Sequence, residues 1–182
     1  MGLDYTEGCV NFRDFGGYVN LIAGQNLLPE GKLYRGGSID YVEDLTEIGQ
    51  VKSIINLRNG RDRADFEVNY FHFPMSNKIE KYNTPLKEVQ LWLNTILQAF
   101  ETAIEFPVLI HCLSGKDRTG IVVAALLLIL EIDPIIIEEE YLLSQGEVQL
   151  ELIQTSIRGM QNIEAYFNRV NLDQIKKNIL IQ

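Results

Sequence analysis

A chain of 182 residues is the size of one domain, long enough to bury its own core. With 46% hydrophobic and 23% charged residues, 5 prolines and 14 glycines, it is neither disordered nor fibrous. A net charge of −9, from 16 basic and 25 acidic side chains, argues against nucleic acid or an anionic membrane surface as partner.

Along the chain, the N-terminus has no basic-then-apolar run of a secretory signal. Gly2 followed by Thr6 touches a lipidation pattern, but one short enough to arise by accident. Apolar runs predict strands over Lys32–Arg35, Val51–Leu57, Asn69–Phe73 and Pro107–His111; the second and last are near-continuous, as in parallel sheets covered on both faces. Val42–Ile48 reads as a short helix closed by Gly49. Pro85–Glu105 carries Leu86, Val89, Leu93, Ile96, Leu97, Phe100 and Ile104 at helical spacing, an amphipathic stripe.

Thr119–Leu130 is apolar all round and predicts a fully buried helix. Its most apolar stretch, Ile121–Leu130, is half the length of a membrane span, so no stable membrane insertion is expected. Pro134 opens a further helix, in which Glu138–Glu140 reads as a solvated face. Glu147–Val170 supplies one or two more, broken at Gly159. Strands alternating with helices, then helices alone, predict an α/β domain: a central, mostly parallel sheet flanked by helices, with a C-terminal helical layer. The whole chain, 1–182, is expected to be one domain, with its core at 9–145 and the C-terminal helices at 146–182.

Ligands of such sheets sit beyond the carboxyl ends of the strands. There the run His111-Cys112-Leu113-Ser114-Gly115-Lys116-Asp117-Arg118-Thr119-Gly120 joins a buried strand to a buried helix. A tight loop at such a junction turns successive N–H groups inward and adds the positive helix end, a cradle for a tetrahedral anion. Cys112 opens the loop, where the same dipoles favour a thiolate. Arg118, with Cys-x5-Arg spacing, offers a planar fork for two phosphate oxygens. Together these groups describe phosphoryl transfer to sulfur. The nucleotide P-loop is excluded, because Asp117 follows Lys116 and Ile110 stands where its first glycine belongs.

The run resembles the active-site loop of the cysteine-dependent protein tyrosine phosphatase superfamily, His-Cys-x5-Arg followed by Ser or Thr. Its longer form, Gly-Lys-Asp-Arg-Thr-Gly, is similar to that of the atypical bacterial tyrosine and phosphoinositide phosphatases. Asn11-Phe12-Arg13-Asp14-Phe15-Gly16-Gly17, Leu33-Tyr34-Arg35-Gly36-Gly37-Ser38 and Ile55-Asn56-Leu57-Arg58 with Asp62-Arg63 resemble further elements of that group, in its order, across most of residues 9–145.

The resemblance implies a phosphatase fold and hydrolysis of phosphomonoesters through a phosphocysteine. Cys112 is then the nucleophile, and Arg118 with the phosphate-binding loop Leu113–Arg118 holds the phosphate oxygens. Thr119 serves the sulfur, His111 orients the loop, and Arg13 and Arg58 support the rim with positive charge. Many relatives carry the general acid on an upstream Trp-Pro-Asp loop. Phe71–Asn77, the comparable region, has no carboxylate, so Asp117 takes that role by resemblance to relatives with Asp inside the loop. Asn56 departs from the family's Asp, and Lys116 could accept a second phosphate on an inositol ring.

No cofactor and no metal is expected, two histidines without a Cys/His cluster being a poor metal site. The expected partner is a phosphorylated protein, above all phosphotyrosine with dual specificity open, or a small phosphomonoester; phosphoinositide is the alternative. A non-catalytic phosphate-binding module and a sulfur-transfer enzyme are the readings from other classes, though pure binding needs no thiolate and sulfur transfer no Arg118. Two cysteines, Cys9 and Cys112, make no disulfide framework, and a reducing compartment, the cytoplasm, is expected.

Overall fold

A computed structural model describes residues 6–181; the reading of the N-terminus at Met1–Tyr5 lies outside the described residues. The two near-continuous apolar runs become central strands. The five strands are β1 (Arg13–Asp14), β2 (Leu33–Gly36), β3 (Ser53–Asn56), β4 (Asn69–His72) and β5 (Val108–His111). They form one sheet in the order β1-β2-β5-β3-β4, parallel throughout except for β1.

The register decides where the site lies. Gly36, His111, Asn56 and His72 pair across the sheet as one row at the carboxyl edge. The segments that follow these four residues therefore leave from a common rim. Side chains alternate across the pleat. Leu33, Ile55, Val108 and Ile110 enter the larger core, whereas Ile54 and Leu109 face a smaller one with Cys9, Ile39, Val42, Ile48 and Val51.

The larger core is walled by the helices α1 (Phe15–Ala23), α2 (Lys87–Thr102), α3 (Asp117–Ile129), α4 (Pro134–Leu142), α5 (Leu150–Gly159), α6 (Ile163–Tyr166) and α7 (Leu172–Leu180). The buried helix of the sequence is α3, whose residues Thr119–Ile129 are all buried and which starts two residues earlier than the apolar run predicts. The predicted break at Gly159 is the end of α5, and close approach explains it. A Cβ there would fall 2.1 Å from Thr84 Oγ1 and 2.6 Å from Pro85 Cδ.

Helix α1 escapes the sequence reading, and α7 is covered there only by the broad expectation of C-terminal helices over 146–182. In α1, Gly16 and Gly17 occupy the first turn, a poor composition for a helix. Burial of Phe15 and Val19 and the Asp14 cap on Gly16 N–H outweigh that propensity. The short polar stretch of α7 is fixed by Asn171, which caps Gln174 N–H, and by burial of Ile175 and Ile179. The Val42–Ile48 segment keeps only a single 3-10 turn, Leu45–Ile48, between Asp44 and Gly49.

The acidic face of α4 is also different from expectation. Glu139 is exposed, but Glu140 is buried at 1% and lies between two buried arginines. Its Oε1 accepts from Arg13 Nε at 2.8 Å and its Oε2 from Arg35 Nη1 at 2.5 Å. Arg13 also donates to the Glu140 carbonyl at 3.0 Å and to Ser144 Oγ at 3.1 Å. Asp14, beside Arg13, accepts from Gly16 N–H at 3.1 Å and from Gly31 N–H at 2.6 Å. Removing one partner from a buried ionic group strands the others. Glu140→Ala is therefore expected to destabilise the fold by about 3–5 kcal/mol, read from urea denaturation midpoints against the unaltered protein.

Candidate active site

Cys112 follows the last residue of β5 and α3 begins at Asp117, so five residues bridge strand and helix. Three consecutive carbonyls of this bridge are held from outside. Ser38 N–H donates to Leu113 O at 2.9 Å, Asn11 Nδ2 to Ser114 O at 2.8 Å, and Arg35 Nη2 to Gly115 O at 3.0 Å. In a planar trans peptide the carbonyl and the next N–H point opposite ways. Pulling those three oxygens outward turns the N–H groups of Ser114, Gly115 and Lys116 to the other side. The loop thus becomes a row of donors by virtue of what grips its back.

Gly115 makes this path possible. Its φ of 68° is left-handed, and a Cβ would sit 2.4 Å from the Gly36 carbonyl carbon and 2.6 Å from Gly37 N. No side chain fits between the loop and β2.

A cavity of about 190 Å³ opens on the donor side, lined by Cys112, Leu113, Ser114, Asp117 and Arg118 with Asn77 and Lys81. Cys112 is recessed, at 4% exposure, while Leu113 stands at the rim, 66% exposed. Arg118 is aimed by two acceptors, Leu57 O at 3.2 Å and Asn77 Oδ1. Asp117 Oδ1 accepts from Tyr82 OH at 2.5 Å, and Tyr82 OH lies 2.8 Å from Tyr141 OH. Burial, with the Asp117 carboxylate beside it, drives the Tyr82 phenol far above its ordinary range, so Tyr82 keeps its proton for that bond.

The other residues singled out from sequence go to different places. Thr119 Oγ1 is buried beneath the loop without a partner among the described residues. His111 is fully buried, its Nε2 2.8 Å from Asp62 Oδ2. Lys116 reaches away toward the turn at Gly146, where a Cβ would fall 3.7 Å from its Nζ. Arg13 is spent on Glu140, and Arg58 on Asp40 at 3.0 Å and Asp62 at 3.3 Å. Neither lines the cavity.

Asn56 has its own physical reason. Its Oδ1 accepts from Arg58 N–H at 2.7 Å, and its Nδ2 donates to Gly60 O at 3.0 Å and Tyr70 OH at 2.8 Å. An aspartate has no donor to replace that amide nitrogen. His72 is a structural donor to Arg58 O at 2.8 Å, and Trp92 packs with its Nε1 on Phe73 O at 2.9 Å.

Asn11, Ser38, Asn77, Lys81, Tyr82 and Tyr141 carry no role in the sequence reading. Asn11 and Ser38 sit inside motifs quoted for their resemblance, which was the one available signal. The rest come from irregular or helical segments with no motif, and only the fold brings them to the loop.

A model of the tyrosine phosphatase family matches residues 5–179. The chain belongs to the tyrosine phosphatase family. It is a cysteine-dependent phosphatase with the α/β fold of that superfamily. Among solved structures, the core catalytic domain of the PP-IP phosphatase SIW14 from S. cerevisiae, in complex with citrate, is similar at 20% identity and a TM-score of 0.54, over 79% of this chain and 96% of that one. A second structure of the Siw14 catalytic core matches at 18% identity and 0.53, over 79% and 95%. TpbA from P. aeruginosa is 22% identical over 81% of this chain and 85% of its own, with a TM-score of 0.48. No curated protein sequence matches significantly.

Gly115→Ala tests the loop path. Strain at φ 68° and the contact with β2 displace the row of N–H groups, and kcat/KM on an aryl phosphate is expected to fall about a hundredfold. The far-UV circular dichroism should stay that of the unaltered protein.

Proposed function

We propose that the phosphatase hydrolyses phosphomonoesters through a phosphocysteine on Cys112, with phosphotyrosine in a phosphoprotein as its substrate class. One observation carries this reading: a recessed cysteine and an arginine fork line the cavity into which three outward-held carbonyls turn their amides. Cys112 Sγ attacks phosphorus as the ester P–O bond breaks. Arg118 and the N–H groups of Ser114, Gly115 and Lys116 hold the equatorial oxygens as charge spreads over them. The leaving oxygen takes a proton from Asp117. With Oδ1 engaged by Tyr82, that proton sits on Oδ2. Water then attacks the phosphocysteine, Asp117 takes its proton, and the S–P bond breaks to release inorganic phosphate and the thiolate. Thr119, whose buried hydroxyl has no partner among the described residues, hydrogen-bonds that sulfur as it leaves.

The recess favours an aryl ester, whose phosphate stands far from the peptide backbone. A second reading, a phosphorylated inositol or phosphoinositide substrate, is favoured by Lys81 in the cavity wall; Lys116 points elsewhere. The yeast neighbour's name as a PP-IP phosphatase makes inositol phosphates the second class to assay. Both cysteines are free thiols, and a nucleophilic thiol needs a reducing compartment, so we place the protein in the cytoplasm. Among the described residues no helix is long and apolar enough to cross a membrane.

Cys112→Ser is expected to abolish turnover of an aryl phosphate, measured without added metal; retained turnover would end this reading. For Asp117→Asn, an ester with a poor leaving group should lose about a hundredfold or more, one with a good leaving group far less. Equal losses would remove Asp117 as the acid. Cys9 serves as an internal control. Burial, only partly offset by its hydrogen bond to Gly37, pushes its thiol up to about 12. Iodoacetamide at neutral pH is therefore expected to label Cys112 alone, as read by peptide mass spectrometry.

A further inference from the structure

The segment after β3 buries a carboxylate that the chemistry above does not use. The side chains of Asp62 and His111 both have zero exposure. Asp62 Oδ2 accepts from His111 Nε2 at 2.8 Å and from Tyr70 OH at 3.1 Å, while Oδ1 accepts from Arg58 Nη1 at 3.3 Å. Tyr70 OH in turn receives the Asp62 N–H at 3.1 Å and the Asn56 amide at 2.8 Å. The carboxylate is thus fixed from three sides by groups on β3, β4 and β5 and their following segments.

His111 is the residue immediately before Cys112. A carboxylate acceptor 2.8 Å from Nε2 requires the ring proton there. The other nitrogen, Nδ1, is buried and has no partner among the described residues. A lone pair is tolerated in that dry position far better than an N–H with nothing to receive it.

We propose that Asp62 is a positioning residue for the nucleophile. It fixes the His111 proton on Nε2, and with it the ring orientation that sets the root of the phosphate-binding loop. Loss of the acceptor releases the proton to Nδ1 or turns the ring, and Cys112 moves with its neighbour. Asp62 touches no substrate, and its effect reaches the reaction only through His111. The inference rests on Cys112 as nucleophile, and the two can fail separately.

The chain has 2 histidines, which makes the test readable by nitrogen-15 NMR of the imidazole rings. His72 donates from Nε2 to a carbonyl and serves as the internal reference. In the unaltered protein at neutral pH, His111 should carry its proton on Nε2 alone. A proton on Nδ1, alone or together with Nε2, overturns the proposal, and this measurement needs no variant to fold.

In Asp62→Leu, of similar shape, the His111 ring signals should shift while those of His72 stay. Its kcat on an aryl phosphate should fall at least tenfold, with KM within about twofold. Asp62→Glu, which restores an acceptor, should recover part of that loss. Unchanged ring signals or unchanged kcat in Asp62→Leu overturns the assignment. Turnover retained in Cys112→Ser would instead end the nucleophile reading and leave the proton position on His111 as measured.

Discussion

A fully buried guanidinium ties the loop between β5 and α3 to the body of the protein. Arg35 on β2 gives one nitrogen to Glu140 on α4 and another to the carbonyl of Gly115. Burial pulls its ionisation down to about 10, against the opposing pull of Glu140, so it stays cationic at neutral pH. That charge has a cost in dry surroundings which pairing offsets, although its Nε has no partner among the described residues. Glu140 and the loop carbonyl supply the pairing, and Arg13 completes the group on the other carboxylate oxygen. The loop is therefore one member of an ionic assembly joining β2, α4 and the N-terminal segment. Its donors face the cavity because the assembly holds its acceptors.

Much of this was legible in the sequence, for identifiable reasons. Strands β2 to β5 announce themselves by apolar runs, and α2 and α3 by periodicity or unbroken apolar composition. Cys112, Arg118 and Asp117 stand within ten residues, so local spacing alone places them together. What the sequence conceals is set by tertiary packing. Two glycines mask α1, and α7 is a short polar stretch held by a cap and two buried isoleucines. Glu140 looks like the last of three solvated acids, yet only the third lies on the inner face of α4. Lys116 neighbours Arg118 in sequence but points to another turn, whereas Lys81, far upstream, lines the cavity. Side-chain direction, not position along the chain, decides which charges a bound anion meets.

The acidic balance of the chain and its anion cavity are compatible for the same reason. Net charge acts over distances that salt screens to about 8–10 Å. A row of oriented amides and one guanidinium acts within hydrogen-bond reach. The arginines that would have made a broad basic face are engaged by carboxylates: Arg13 and Arg35 share Glu140, and Arg58 pairs with Asp40 and Asp62. The cavity itself is lined by Lys81, Arg118 and the loop, a small concentration of positive groups in a chain of net charge −9.

The irregular stretch before α2 carries a last consequence. Tyr82 reaches Asp117, and the backbone that carries Tyr82 and Thr84 is moored to the C-terminal helices. Ser156 Oγ donates to Tyr82 O at 3.1 Å, Thr84 Oγ1 to Ser156 O at 2.8 Å, and Tyr166 OH to Thr84 O at 2.6 Å. Helices α5 and α6, beyond the motifs that the sequence shows by residue but inside the stretch that the family model matches, thus form the outer frame of the Tyr82 contact with Asp117. A displacement in that layer is therefore carried through Tyr82 to the Asp117 carboxylate at the start of α3, so a side chain in the cavity wall is held in part by helices that do not line the cavity.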